Sequence, residues 1–428
     1  MKFECPICHN ALEGDSGWCG QKAQCPYCQH KFVIPDLTQE SDIKTIGDSQ
    51  PAQKKHSLKW LYISLCAIAV LCIAAGVSYT IYIVNFDKDT GKASTTKKAS
   101  ISDLHKEAEN GEAKAQYELG ECYAKGDREE KNHKQAVYWY RKAAEQGYAA
   151  AQCSLGECYI NGRGVEKDGE QAVYWYRKAA EQGHAKAQGA LGVCYHYGLG
   201  VDKDLQQAVF WYRKAADQGY SLAQALLGYC FKNGLGVGKN LQQAVYWYRK
   251  AAEQGNAGAQ KILGDCYFNG LGVDKDLQQA VFWYRKAAEQ GDADAQAALG
   301  VCYHYGRGVE KDLQQAAYLY RKAAEQGSPS AQCLLGFCYA NGWGVENDSR
   351  QAAYWYRKAA EQGEPDAQFQ LAVCYARGDG VQQDREQMMY WVQKAAEQGH
   401  EEAKAALRKS RRSTGTRPPT RRFRRKRR

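Results

Sequence analysis

Signatures of phosphoryl, hydride and acyl transfer are missing from the 428 residues: no hydrolase, kinase or dinucleotide motif is present. Glycine is plentiful, but the Asn-Gly-x-Gly-Val phrases that hold much of it lack the strand–turn–helix setting that a phosphate cradle needs. Enzymes built on those motifs are excluded. Acidic side chains are missing from Arg408–Arg428, a stretch with twelve Lys/Arg. Outside it, 46 basic residues face 48 acidic ones, so the overall charge of +10 belongs to the tail. Charge of either sign is missing from Trp60–Phe86, a run of 27 residues.

What is present is a strict period. Cys122, Cys158, Cys194, Cys230, Cys266, Cys302, Cys338 and Cys374 fall 36 residues apart, which marks a repeat array. Each sits in Leu-Gly-x-Cys-Tyr or a close variant, and a second phrase, Gln135-Ala-Val-Tyr-Trp-Tyr-Arg-Lys-Ala-Ala-Glu-Gln-Gly147 in its first copy, follows. Each unit reads as two helices. Ala115, Leu119, Cys122 and Tyr123 share one face of the first; Ala136, Tyr140, Ala143 and Ala144 share one face of the second. Gly147 and its equivalents end the second helix, where a left-handed residue is wanted. The turn Asn161-Gly-Arg-Gly-Val165 uses glycine for positive φ, and the first unit, with Gly126-Asp-Arg-Glu129, is expected to differ in loop shape. Asp103–Asn110 opens the array as a partial helix, and Glu401–Lys409 closes it as a half-unit. Stacked units lie about 8–10 Å apart, whereas a disulfide needs Cα atoms within about 7 Å. The equivalent cysteines are therefore expected to be buried and unpaired.

These phrases resemble the Sel1-like repeat, a longer-loop relative of the tetratricopeptide repeat, over residues 103–407. The resemblance implies an all-α fold, a right-handed α/α superhelical solenoid of about eight 36-residue helix-turn-helix repeats. It also implies a family whose members mostly act as scaffolds for protein complexes. A cysteine-rich subgroup of that family locks each repeat with cysteine pairs and has been ascribed penicillin-binding activity. Only Cys153 and Cys333 add a second thiol to a unit here, so neither property carries over.

The expected organisation is a zinc ribbon at 1–34, a polar linker at 35–57, a transmembrane helix at 58–86, a linker at 87–101, the solenoid at 102–409 and an Arg-rich tail at 410–428. Cys5, Cys8, Cys25 and Cys28 form two C-x2-C pairs separated by sixteen residues, the spacing of a closed four-thiolate zinc site. Such a site leaves no open position for substrate, so the zinc is structural, and the stretch resembles a short bacterial zinc-ribbon module. Cys19 is read as a bystander.

Four further features carry candidate functions. The position between Val137 and Trp139 is aromatic in every unit: Tyr138, Tyr174, Phe210, Tyr246, Phe282, Tyr318, Tyr354 and Tyr390. On a helical wheel it points away from the core face, which leaves two readings, an exposed adhesive ladder for a peptide or glycan, or a ring packed against the next unit. Arg141 and Glu145 are expected to form a solvated i, i+4 pair. His196 and His304 recur in one place and read as structural histidines. The tail residues Arg421, Arg422, Arg424, Arg425, Lys426, Arg427 and Arg428 suit a polyanion, whether lipid, nucleic acid or envelope polymer.

The run at 58–86 is long enough to span a bilayer, with aromatic residues at both ends. It leads to the expectation of a single-pass protein of a bacterial inner membrane. Lysines flank it equally, so the positive-inside rule does not choose an orientation. A reduced zinc module favours a cytoplasmic N-terminus with the repeats outside. The function expected is a non-enzymatic, membrane-anchored scaffold for protein–protein interactions without a small-molecule substrate. The alternative is a membrane-tethered nucleic-acid or polyanion binder acting through the tail and ribbon.

Overall fold

The computed structural model describes residues 100–413, with side chains to 409, and the backbone of four short strands near the N-terminus. The chain divides into two units, Met1–Ala69 and Val70–Arg428. In the first, β1 (Lys2–Glu4) pairs antiparallel with β2 (Ala11–Glu13), and β3 (Lys22–Gln24) pairs with β4 (Lys31–Val33). Phe3 stands opposite Leu12, and Ala23 opposite Phe32.

The second unit is an all-α solenoid. Helix α1 (Ile101–Glu109) opens it, eight helix pairs follow from α2 (Ala113–Lys125) and α3 (His133–Glu145), and Glu401–Ser413 closes it. The opening helix begins two residues before the sequence reading, and the closing one runs four residues beyond it. Every helix after α1 has 13 residues, because the same start and stop chemistry recurs. The second helix of each pair is capped by an Asn or Asp side chain: the Asp204 carboxylate accepts from the backbone N–H groups of Gln206 and Gln207 at 2.9 and 3.0 Å, satisfying donors that the helix itself cannot. At its other end Gly147 takes φ +89°. The N–H of Gly147 then reaches the carbonyl of Ala144, and that of Tyr148 the carbonyl of Ala143, the paired bonds of a Schellman motif.

Packing explains the repeated phrases. Leu119 and its equivalents Leu155, Leu191, Leu227, Leu263, Leu335 and Leu371 are among the largest fully buried side chains; burial of one leucine stabilises by about 1.5–3 kcal/mol. Gly120 lies against the ring of Tyr140, where an added Cβ would come within 2.6 Å. The tryptophan of one unit lies in the seam with the unit before it: Trp175 clusters with Ala136 and Tyr140 of the preceding unit and Leu155 of its own, and Trp211 with Ala172 and Tyr176 and with Leu191. The solenoid thus has one continuous core built from nearest-neighbour seams.

The first loop does not differ in shape. Gly126 and Arg128 take φ +73° each, against +68° and +75° at Gly162 and Gly164. Only the residue changes. A Cβ at Gly164 would collide with the carbonyl of His133 in the preceding second helix. Among the described residues only α1 precedes the first unit, and Arg128 takes the same backbone conformation there.

The expectation of a single-pass membrane protein is corrected. Among the described residues no helix is long and apolar enough to cross a membrane: the longest have 13 residues, where about 20 are needed, and their apolar faces are taken up by one another. The run at 58–86 that prompted the expectation lies outside the described residues. An uncharged run is a fact of composition, whereas a span requires a continuous helix, and the orientation derived from it, with the N-terminus cytoplasmic and repeats outside, goes with it.

Candidate functional site

The aromatic ladder is exposed. Tyr138, Tyr174, Phe210, Tyr246, Phe282, Tyr318, Tyr354 and Tyr390 each keep 45–51% of their surface accessible. That decides between the two readings of these residues: they do not pack into an adjoining unit, whereas the neighbouring Trp139, Trp175 and their equivalents are buried at the seam with the unit before. Seven of the eight rings meet that tryptophan edge-on, as at Tyr246–Trp247, with centroids 5.1 Å apart at 80°. The lysine one turn on lies over both rings, with Lys250 Nζ 4.8 Å from Tyr246 and 5.3 Å from Trp247. Such contacts contribute about 0.5–1 kcal/mol at exposed sites. In the sixth unit Leu319 stands in place of tryptophan, yet Tyr318 is 50% exposed and Lys322 still lies 4.8 Å from its ring. The exposed aromatic is therefore not merely a cover for tryptophan.

Arg141 does not pair with Glu145. Its guanidinium donates to the hydroxyl of Tyr159 in the next unit at 2.8 Å. The same bond joins Arg177 to Tyr195, Arg249 to Tyr267, Arg285 to Tyr303, Arg321 to Tyr339 and Arg357 to Tyr375. The third unit meets Phe231 at this place, and Arg213 lies 5.9 Å from its ring centre. A partner in the adjoining unit, 18 residues away, is invisible to a single-helix wheel.

A second ladder was missed by the sequence reading. Gln116, Gln152, Gln188, Gln224, Gln260, Gln296, Gln332 and Gln368 are buried to 3–4% exposure. The amide of Gln260 donates to the Ala252 carbonyl at 3.0 Å, and its Oε1 accepts from Gln290 at 2.7 Å. The signal was there, since both glutamines recur in every copy; nothing local marks them as buried.

The ten described cysteines are buried and form no disulfide. Burial pushes the thiols of Cys194, Cys230, Cys302 and Cys338 up to about 12, so they behave as small hydrophobes. His196 is buried among Tyr197, Tyr212 and Tyr229, and burial lowers its pKa. His304 meets Trp343 edge-on at 4.9 Å; burial, then Lys311, takes its pKa down to about 4. Depressions of about 650 and 680 Å³ lie along Val309–Gln314 and Glu346–Gln351. They are the same notch in successive units, formed where a loop meets the start of a second helix. The thiolate quartet Cys5, Cys8, Cys25 and Cys28 and the basic residues Arg421–Arg428 lie outside the described residues.

The geometry defines an α/α solenoid that presents a repeated outer surface. The Sel1 repeat model matches eight successive segments, residues 113–148, 149–184, 185–220, 221–256, 257–292, 293–328, 329–364 and 365–400. The chain belongs to the Sel1-repeat family, whose members generally act as non-enzymatic scaffolds for protein interactions. It is similar to c5321, a protective antigen of uropathogenic Escherichia coli displaying an SLR fold: 43% identity, 74% of this chain and 68% of that one covered, TM-score 0.65. It is also similar to a Sel1 repeat protein from Oxalobacter formigenes: 37% identity, 73% and 90% covered, TM-score 0.54. No curated protein matches.

Proposed function

We propose that the solenoid is a docking scaffold for a partner protein and that the aromatic ladder is its contact surface. One observation carries the reading: an aromatic side chain is half exposed at the same place in all eight units. Large aromatics left in water on a surface that the fold does not need covered are the usual mark of a recognition site. By contrast, a partly buried position of the first helices varies from unit to unit, with Glu121, Glu157, Val193, Tyr229, Asp265, Val301, Phe337 and Val373. A constant ladder supplies adhesion to the partner.

We further propose that Cys5, Cys8, Cys25 and Cys28 hold one structural zinc ion. The support is topological: one C-x2-C pair falls in the sequence between the paired strands β1 and β2, the other between β3 and β4. A zinc knuckle offers two thiolates from such a connection.

The scaffold reading is tested by placing a photoreactive phenylalanine analogue at Tyr138, Tyr246 or Tyr354 of the full chain in its native cells, with Lys239 in a loop as control. The expected result is one and the same protein cross-linked from the three ladder positions and not from the loop. Cross-linking that is absent, or equal at Lys239, would overturn it.

A further inference from the structure

The sign of the charge beside the ladder identifies the kind of segment that docks there. The eight second helices carry 18 basic and 10 acidic residues. The rest of residues 113–400 carries 15 basic and 23 acidic residues. The repeat array is neutral as a whole, yet its positive charge is gathered on the helices that present the aromatic residues. Each step repeats one arrangement: a half-exposed ring, a lysine ammonium over it, and, in all units but the eighth, an arginine one turn on. Gln393 replaces that arginine in the last unit. In Phe282 and Lys286 the ammonium stands 5.0 Å from the ring centre.

We propose that the ladder binds an extended acidic segment of a partner protein, its carboxylates on the lysine and arginine of successive units and its apolar side chains on the rings. This rests on the scaffold reading and adds the chemistry of the partner. The step length sets the pattern. Units stack about 10 Å apart, and a chain in the extended polyproline II conformation advances about 3.1 Å per residue with three residues per turn, so one acidic residue in three stays on one face and keeps register with the ladder. Two other occupants fit less well. Each step also exposes one acid, such as Glu145, Asp217 or Glu289, which opposes a polyphosphate whose charge is unbroken. A second copy of the chain would set one positive ladder against another.

The test uses the full chain and synthetic probes: a 24-residue peptide of eight Asp-Leu-Thr triplets, its Lys-Leu-Thr and Gln-Leu-Thr counterparts, and a 24-nucleotide oligo(dT), each followed by fluorescence anisotropy. The acidic peptide is expected to bind at least tenfold tighter than the neutral one, and to weaken at least tenfold when Lys214, Lys250 and Lys286 become Gln. Replacement of the same lysines by Arg should restore binding, which separates lost charge from lost folding, and circular dichroism should be unchanged throughout. Replacement of Phe210, Tyr246 and Phe282 by Ser should weaken binding without removing its salt dependence.

These variants leave Arg408–Arg428 intact. Acidic-peptide binding that is as tight in the Lys→Gln variant as in the parent does not depend on the ladder lysines and overturns the proposal. So does equal binding of the neutral or basic peptide, tighter binding of oligo(dT) through the ladder, or self-association lost on the Phe/Tyr→Ser changes. Cross-links to a protein from the ladder without acidic-peptide binding would refute the acidic chemistry while leaving the scaffold reading in place.

Discussion

The side-chain amide of Gln146 donates to the side-chain oxygen of Gln116 at 2.8 Å, and Gln116 donates in turn to the carbonyl of Ala108 at 3.0 Å. The relation is repeated down to Gln398 and Gln368. Each buried glutamine thus ties the last turn of one helix to the unit that follows, as a further donor to a carbonyl at the helix end.

Replacing Gln260 by Leu removes one of the bonds to the Ala252 carbonyl, which keeps the Gly255 N–H, and the bond to the Gln290 amide. A loss of about 1–3 kcal/mol is expected, seen as a lower denaturant midpoint. Gln290→Ala removes only the partly exposed partner and should cost less than about 1 kcal/mol. Equal midpoints for Gln260→Leu and the parent would show that the ladder is not what joins the units.

Gly236 and Arg128 share a left-handed backbone, φ +67° and +73°, but only at Gly236 would a Cβ strike the backbone of Leu205. Gly236→Ala should therefore destabilise by about 2–4 kcal/mol, from conformational strain and overpacking together. Arg128→Ala, measured in the same unfolding series, should cost under about 1 kcal/mol.

The thiols of the repeats should resist a maleimide at pH 7.5 in the native protein and react only in guanidinium, since the thiolate is the nucleophile and burial holds it protonated. Mass spectrometry reads this directly. Rapid native labelling of Cys230 or Cys338 would contradict the buried packing of both.

Two groups give stability opposite slopes with pH. Burial, then Asp366, raises Glu364 to about 7, so the folded state binds more protons than the unfolded one between about pH 4.5 and 7, and stability is lost as pH rises through that window. Glu364→Gln should raise the Tm at pH 8 relative to the parent and leave it unchanged at pH 4. For His304, lowered to about 4, the unfolded state binds more protons between about pH 4 and 6.5, and stability is lost as pH falls. His304→Gln should flatten that acid limb in a Tm series across the same window.

One zinc per chain is expected by elemental analysis of the purified protein. Cys5→Ser with Cys8→Ser should abolish it, because two remaining thiolates do not close a tetrahedral site. Cys153→Ala with Cys333→Ala should leave the zinc content unchanged. Zinc retained without Cys5 and Cys8 would remove the assignment.

Most of the solenoid was legible in the sequence, and the reason is local. Helix length, the glycine stops and the alternation of first and second helices follow from backbone conformation within one 36-residue copy, and eight copies repeat the message. That the described cysteines form no disulfide followed as well, because the spacing of the equivalent ones exceeds what a disulfide reaches. The ladder, the Arg141–Tyr159 bond and the glutamine bridges were not legible in the same way. A wheel ranks the faces of one helix, but a helix in a solenoid is covered from several sides, and which side stays open depends on how the next unit stacks. Trp175 and its equivalents take that seam, so Tyr174 is left in water and Arg141 reaches across to Tyr159. The order of residues alone determined the repeated unit; only the stacking of one unit on another decided which of its side chains a partner can touch.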